Sequence, residues 1–430
     1  MIVNRCILQD MTYYHNQTKS IDINAVGCEL SEWEADEIAK VVIPNSIVLN
    51  TCAVTENIEH ASILVAKLLR KIYPDRNFFI TGCGVNYNEE NFKDLNAILL
   101  PNEKKNNCKD IVYKNQIRRN NEEVGYIKVQ EGCKNHCAYC VVNKLRSNLI
   151  STPYEEIKQQ IKDHLANDMK ALEIIGTEIC LYNSDGLTID TLCEKILNDF
   201  PAIEKLTLNA LNPSSRKIEN IIDLMAKDPR MEKILYLSVQ SGSDTILNRM
   251  HRAYTAERIR EICNYNKQVK TVWDLVCGFP GETEEQFNET VRLVNELKPM
   301  ELMICPYSDR EGTESSMLPD HLTKEEIMKR ARILRFTSCG EYNEPVFQTK
   351  GKIVHLDLYD DEAVAQFCRE NTSSNIVIRS EYRGFTEQFE VNCKVVSVRF
   401  GIHFEFINKS DEKIPNINDF LDYYNGNSIR

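Results

Sequence analysis

The chain has 430 residues, too many for one ordinary domain, so two or three domains are expected. Hydrophobic residues make up 42% and charged residues 27%, the balance of a globular protein that can bury substantial cores. The net charge of −12 argues against broad, nonspecific nucleic-acid binding, because phosphate affinity depends on Lys and Arg.

A local basic groove stays open as a reading. Lys67, Arg70, Lys71 and Arg76 lie close together, as do Lys114, Arg118 and Arg119, although each run reads equally well as a solvated face. The first residues, MIVNRCILQDMTYY, lack a basic stretch followed by an apolar core, so no signal peptide is expected. No run of about 18 apolar residues exists, which predicts no membrane span. Both point to the cytoplasm. Sixteen cysteines are many for a reducing compartment, where spacing decides between metal, catalysis and packing.

From Ile21 to about Val112, short apolar runs alternate with helical patterns. IDINAV runs into Cys28, SIVLN into Cys52 and FFIT into Cys83, with SEWEADEIAKVV and NIEHASILVAKLLRKI between them. Strand–loop–helix alternation predicts a parallel sheet with helices on its faces. Residues just past the carboxyl ends of such strands gather along one edge, where ligands bind. The three cysteines share that kind of position.

From about Gly125 to Thr337 the rhythm lengthens. Strands are expected near Ile127–Gln130, Leu172–Gly176, Lys205–Leu211, Ile234–Gln240, Thr271–Cys277 and Glu301–Cys305, with helical segments between them. Six βα units predict a TIM-like, partial barrel whose site lies at the carboxyl ends of its strands. LTKEEIMKRARILRF reads as the last helix before a change of style. From about Pro345, KIVHLDLY, SNIVIRS, FEVNCKVVSVRF and IHFEFIN predict a small all-β domain, a compact barrel or open sheet.

EGCKNHCAYC carries the strongest chemical signal. Cys133, Cys137 and Cys140 have C-x3-C-x2-C spacing directly after an expected strand. Three thiolates on one loop can ligate three irons of a [4Fe–4S] cluster and leave the fourth open. Zinc would call for a fourth Cys or His nearby, and His136, inside the loop, is poorly placed to close a tetrahedron.

C-x3-C-x-aromatic-C, with Tyr139 at the aromatic position, resembles the signature of the radical S-adenosylmethionine (SAM) superfamily, and the rest of the chain resembles its methylthiotransferase branch. NTCAVTE (Asn50–Glu56) and TGC (Thr81–Cys83) are similar to that family's N-terminal domain. VQSGSDTILNRMHRAYT (Val239–Thr255), GFPGET (Gly278–Thr283) and PYSDREGT (Pro306–Thr313) are similar to its barrel, so the resemblance covers about Ile21 to Met317.

The resemblance implies an N-terminal methylthiotransferase-type α/β domain (1–120), a radical SAM barrel (121–343) and a small C-terminal all-β, RNA-binding-like domain (344–430). It further implies two [4Fe–4S] clusters and SAM as cofactors, with Cys28, Cys52 and Cys83 holding an auxiliary cluster that takes part in sulfur delivery. Gly176, Thr177 and Glu178 resemble a Gly-Gly-Glu-like turn that binds the methionine amino group. Tyr139, Gln240, Ser241 and Arg252 complete the expected cofactor-binding set, with Arg252 reading equally as a surface ion pair. Gly278 and Gly281 read equally as turn formers. Cys180, Cys193, Cys263, Cys277 and Cys305 read as small buried hydrophobes, and Cys6, Cys108, Cys339, Cys368 and Cys393 have no assigned role.

The chain departs from the family's pattern in its loops. Ser31 stands where relatives carry Asn, Asn143–Ser147 stands in place of Pro-x-x-Arg-Gly, and NALNP (Asn209–Pro213) replaces a Ser-Ser-x-x-Pro-like run. Both cysteine triads are intact. RGFTEQFEV (Arg383–Val391) resembles the core of the family's RNA-binding barrel, where Arg379, Arg383 and Arg399 could meet phosphates and Phe385 could stack on a base or sit in the core.

The implied activity is methylthiolation of a modified adenosine beside the tRNA anticodon, threonylcarbamoyladenosine first and isopentenyladenosine next. The expected partners are the anticodon stem-loop and a reducing electron donor such as flavodoxin or ferredoxin, with no membrane and a monomeric chain. Methylthiolation or sulfur insertion on a ribosomal protein or peptide is the rival enzyme reading, and an RNA-binding iron–sulfur redox sensor the rival without catalysis.

Overall fold

The computed structural model describes residues 13–17, 20–102 and 124–338, together with the backbone of five strands between 346 and 406. These fall into two compact units. One holds the described residues of Tyr13–Ala66 and Asp75–Ser338; the other holds Lys67–Pro74 and the five strands between 346 and 406. The run Lys114, Arg118 and Arg119, the residues Arg383 and Arg399, and Cys6, Cys108, Cys339 and Cys368 lie outside the described residues.

The first unit opens with a five-stranded sheet: β1 (Tyr13–Gln17), β2 (Ile21–Val26), β3 (Ser46–Thr51), β4 (Asn77–Gly82) and β5 (Ile98–Leu100), side by side in chain order. β1 is antiparallel to β2, and all later pairs are parallel. Every residue of β2 and β3 is buried, as a parallel sheet covered on both faces requires. Helix α1 (Glu29–Ala39) joins β2 to β3, and α2 (Glu56–Ile72) joins β3 to β4. A one-turn helix, α3 (Cys83–Tyr87), follows β4 directly.

Six parallel strands form the second layer of this unit: β6 (Gly125–Glu131), β8 (Ala171–Gly176), β11 (Lys205–Leu208), β12 (Ile234–Gln240), β13 (Lys270–Cys277) and β14 (Glu301–Pro306). Isolated parallel bridges Leu206↔Met231 and Leu211↔Leu237 connect β11 to the β12 side. The short β7 (Ile150–Ser151) pairs antiparallel with β6, and β9 (Asn183–Ser184) with β10 (Leu187–Thr188) makes a small hairpin. The helices are α4 (Val142–Leu145), α5 (Tyr154–Ala166), α6 (Ile189–Asp199), α7 (Ile218–Lys227), α8 (Asp244–Arg249), α9 (Ala256–Tyr265), α10 (Glu284–Leu297) and α11 (Lys324–Ser338). This is the expected partial β/α barrel.

Alternation along the barrel strands sorts their side chains. Ile127, Val129, Leu172, Ile174, Trp273 and Leu275 join one large apolar core with the helices. Residues of the other parity lie on the concave side. There Tyr126 and Ile175 pack with Leu30 and Trp33 of α1, and the Lys128 ammonium stands 4.9 Å from the Trp33 ring centroid. Helix α1 therefore covers part of the inner face that six strands leave open.

Two local expectations change. The strand from Lys205 stops at Leu208, because the Asn209 side chain accepts from the Ala210 N–H at 2.7 Å and turns the chain away from the ladder. Cys305 is exposed, not buried: on β14 only Leu302 and Ile304 face the helices, and the alternate positions face the open concavity. In the second unit, β15 (Val346–Thr349), β16 (Lys352–His355), β17 (Asn375–Tyr382), β18 (Phe385–Ser397) and β19 (His403–Phe406) pair antiparallel in the order β16-β15-β17-β18-β19.

Candidate active site

Cys28, Cys52 and Cys83 follow β2, β3 and β4, three adjacent parallel strands, so their backbones emerge side by side at one sheet edge. Cys28 caps α1 in an extended conformation without a side-chain capping bond, and its sulfur lies 3.8 Å from the Ser31 hydroxyl. Gly27 and Gly82 bring the chain through backbone angles open chiefly to glycine, with φ of 129° and 99°. The approach is close: a Cβ on Gly27 would lie 2.9 Å from the Cys52 Cβ and 3.3 Å from its Sγ. Burial first, then the charges of Cys83 and Cys28, push the Cys52 thiol well above the usual thiol range.

A buried thiol such as Cys52 is costly to ionise on the protein's own resources, and a bound cation is what lets it deprotonate. Among the described residues no three Cys, His, Asp or Glu side chains converge on a single-ion position. In a [4Fe–4S] cluster each thiolate binds a different iron, so convergence on one point is not required. The donor set, all sulfur and largely buried, fits such a cluster.

One cation serves this edge. Arg146 is 6% exposed and donates from Nε to the Cys83 Sγ at 3.4 Å. Its Nη1 and Nη2 reach both Glu34 oxygens at 2.6 and 2.9 Å, and Nη1 also reaches Glu131 at 3.1 Å. Glu34 in turn accepts from Asn50 Nδ2 at 3.0 Å.

The second triad is local. Gly132, with φ of 85°, turns the chain off β6, and Cys133 N donates to the Arg146 carbonyl at 3.1 Å. Cys140 N donates to Cys137 O at 3.1 Å, and Val142 N donates to the Cys140 Sγ at 3.4 Å. Arg252 Nη1 donates to the Cys137 Sγ at 3.2 Å, while its other nitrogens hold Tyr254 Oη and the Ser238 carbonyl at 2.8 and 2.9 Å. Arg252 thus points into the cysteine loop, not to the surface. Burial, then the charges of Cys137 and Cys133, raise the Cys140 thiol to about 12, and burial with the charge of Glu178 raises Cys133. Tyr139 packs against the cluster of Ala138, Ile246, Met250 and Phe279. His136 is exposed.

Gly176, Thr177 and Glu178 end β8 beside this loop. A Cβ on Gly176 would lie 2.8 Å from the Gln130 carbonyl, so the two strand ends touch. Thr177 Oγ1 accepts from Gly132 N at 3.1 Å, and Glu178 N donates to Gln130 Oε1 at 2.8 Å. Glu178 Oε2 accepts from Asn135 and Asn212 at 3.0 and 3.2 Å, whereas its Oε1 is buried with no partner. A buried, unsatisfied carboxylate oxygen calls for a charged donor, and the ammonium of an amino acid moiety fits.

Gln240 and Ser241 differ in their surroundings. Gln240 adopts a left-handed φ of 64°, rare outside glycine, at the end of β12. The Ser241 hydroxyl is fully buried in the following turn, 3.3 Å from Thr290 Oγ1, and accepts from Ser243 N at 3.1 Å. GFPGET is a turn held from outside the site: Gly278 N and Arg330 both donate to Glu282. PYSDREGT joins the two layers, since Arg310 donates to Glu59 of α2 at 2.6 Å and stacks 4.4 Å from the Tyr87 ring centroid.

Asn135, Asn212 and Arg146 lie inside runs the sequence singled out, but those runs assign them no role, and Glu34 lies in no motif. Each is a lone polar residue whose partner is remote in sequence, and only the burial of Glu34 inside a helix of mixed polarity hints at a partner.

The description "Radical SAM superfamily" belongs to the family model that matches residues 127–294. The chain is 28% identical over 367 residues to a threonylcarbamoyladenosine tRNA methylthiotransferase of Rickettsia prowazekii, spanning 78% of this chain and 86% of that one. It is 26% identical over 389 residues to a tRNA-2-methylthio-N(6)-dimethylallyladenosine synthase of Finegoldia magna, spanning 79% and 82%. Among solved structures, the radical SAM methyltransferase TsrM of Kitasatospora setae aligns with a TM-score of 0.50 at 13% identity, over 75% of this chain and 71% of that one, a likeness of fold.

Proposed function

We propose that the chain, which is similar to radical SAM methylthiotransferases, uses SAM and [4Fe–4S] clusters as they do and adds a methylthio group to a modified adenosine of tRNA beside the anticodon. The observation that carries this reading is the pairing, in one compact unit, of a local cysteine triad beside the unsatisfied Glu178 oxygen with a second triad along a neighbouring sheet edge.

In this reading Cys133, Cys137 and Cys140 would hold one [4Fe–4S] cluster, beside which SAM would bind, and Cys28, Cys52 and Cys83 would hold a second. The bound cofactors supply the radical and the sulfur chemistry. The chain's own residues bind and orient. Glu178 Oε1 takes the ammonium of SAM, Asn135 and Asn212 hold that carboxylate in place, and Arg252 keeps a positive charge against the Cys137 sulfur. The hydrogen bonds of the Arg252–Tyr254–Ser238 group hold the β12 end rigid beneath the loop. Helix α1 packs its Leu30 and Trp33 against Tyr126 and Ile175 and so covers that part of the concave face.

Threonylcarbamoyladenosine is the preferred substrate, supported by the names of the relatives from Rickettsia, Thermotoga and Aquifex and by the PYSDREGT stretch. Dimethylallyladenosine is the second reading, supported by the Finegoldia relative at nearly equal identity. The anticodon stem-loop as partner, a flavodoxin or ferredoxin as reductant, a monomeric chain and a cytoplasmic location complete the proposal, with domains at 1–120, 121–343 and 344–430. Among the described residues no helix is long and apolar enough to cross a membrane.

Mass spectrometry of tRNA nucleosides from a methylthiotransferase-deficient host, with and without this chain, tests the proposal. A new nucleoside heavier by one methylthio group names the adenosine. Cleavage of SAM by the purified protein with no new nucleoside would move the substrate to a protein or peptide.

A further inference from the structure

Among the described residues, Arg146 hydrogen-bonds to a cysteine of each group. Its backbone closes the local triad: its carbonyl accepts from Cys133 N at 3.1 Å, and its N–H donates to Val142 O at 2.7 Å. Its side chain crosses to the other layer and meets the Cys83 sulfur at 3.4 Å. The guanidinium is oriented by the carboxylates. Glu34 takes Nη1 and Nη2, and Glu131 takes Nη1, so both acids stand on the side away from Nε, which faces the sulfur. Glu34 extends the tie further, because Asn50, two residues before Cys52, donates to it.

A buried ion pair of this kind adds little to stability by itself, since desolvation offsets the attraction. Fixed between two sets of thiols it has a different use. Hydrogen bonds to cluster sulfurs and the local net charge set a cluster's reduction potential, and a donor to a thiolate sulfur stabilises the more negative, reduced state.

We propose that Arg146 is a positioning residue that fixes the spacing of the two cysteine groups through its backbone and raises the reduction potential of the cluster at Cys28, Cys52 and Cys83 through its Nε–H···S contact with Cys83. The proposal rests on the reading of those three cysteines as a cluster site. Arg146 does not touch substrate; it acts through Cys83 and Glu34.

The test uses the full chain carrying Cys133→Ala, Cys137→Ala and Cys140→Ala, anaerobically reconstituted, so that the remaining cluster is the one titrated. Iron content and an electron paramagnetic resonance redox titration are read on this background and on three additions to it. Arg146→Gln removes the charge and the donor, and its midpoint potential shifts downward. Arg146→Lys keeps the charge without the fork or the Nε–H, and restores part of that shift. Glu34→Gln removes an opposing negative charge and shifts the midpoint upward.

Where Arg146→Gln fails to hold its cluster, the opposite shifts of Arg146→Lys and Glu34→Gln decide. A background protein with about four irons per chain and one midpoint across the variants overturns the proposal alone. A background protein that takes up no iron overturns the cluster reading beneath it.

Discussion

Cys133, Cys137 and Cys140 lie within one loop after β6, so the chain itself keeps them near one another, while Met250, His251, Arg252 and Ser315 hold the loop from far along the sequence. Cys28, Cys52 and Cys83 come from three strand ends spread over the first third of the chain, and they meet only because β2, β3 and β4 are neighbours in parallel register. The first group depends on a turn, the second on a sheet. Chain connectivity alone keeps the loop cysteines near one another, whereas the sheet-edge cysteines meet only through the pairing of their strands. Arg146 ties one group to the other.

The largest expected effect separates the two groups by their glycines. A Cβ at Gly82 would lie 2.2 Å from the Thr51 carbonyl and 2.0 Å from Asn50 Oδ1, in a backbone with φ of 99°. Gly82→Ala should destabilise the protein by more than about 3 kcal/mol in anaerobic urea unfolding and remove the iron held at the sheet edge. Gly132→Ala, where the Cβ would meet the Asn148 carbonyl at 2.0 Å, should instead remove iron from the loop and spare the sheet edge. Loss of the same iron in both variants would erase the distinction.

A smaller effect sharpens the account of the loop group. Glu178→Gln keeps the shape and the two asparagine contacts but removes the charge of the unsatisfied oxygen. SAM affinity measured by equilibrium dialysis should fall about tenfold to a hundredfold, the cost of losing one charged hydrogen bond, with iron content unchanged. Wild-type affinity would remove Glu178 from the cofactor site.

The smallest effect concerns the space between the groups. Asp274, on the concave side of β13, accepts from Ser238 Oγ at 3.2 Å. Burial first, then the charge of Glu29 beside Cys28, raise its carboxyl to about 6, against the opposing pull of Arg252. An acid raised above its unfolded value of 3.8 costs the fold nothing while protonated in both states, and its contribution is lost as pH rises through about 6. Asp274→Asn should therefore gain stability relative to wild type between pH 4 and 7.5, by about 1–3 kcal/mol, in urea titrations at the two pH values. A pH-independent difference would place Asp274 outside the buried space that both groups face.

Much of this was legible along the chain because strands and helices announce themselves by period. The three N-terminal strands, each ending at a cysteine, and the six barrel strands were expected within a residue or two, except at Asn209, where one side chain took a backbone donor the ladder needed. Cys305 misled because an apolar neighbourhood predicts burial only where both faces of a strand are covered. The glycine-rich motif GFPGET left turn and ligand contact equally open, and the structure adds that Arg330, 48 residues on, pairs with its Glu282.

By itself, the sequence determined what is set over a few residues: the spacing of Cys133, Cys137 and Cys140, the alternation that makes each strand, and the placing of Cys28, Cys52 and Cys83 at strand ends. Tertiary structure alone decided which polar groups meet: Glu178 with Asn135 and Asn212, Arg252 with Cys137, and Arg146 with Cys83 and Glu34. The physical reason is that periodicity and ligand spacing are properties of the backbone's own repeat. A hydrogen bond across 112 residues, such as Arg146 to Glu34, exists only after two layers have packed and water has been excluded between them.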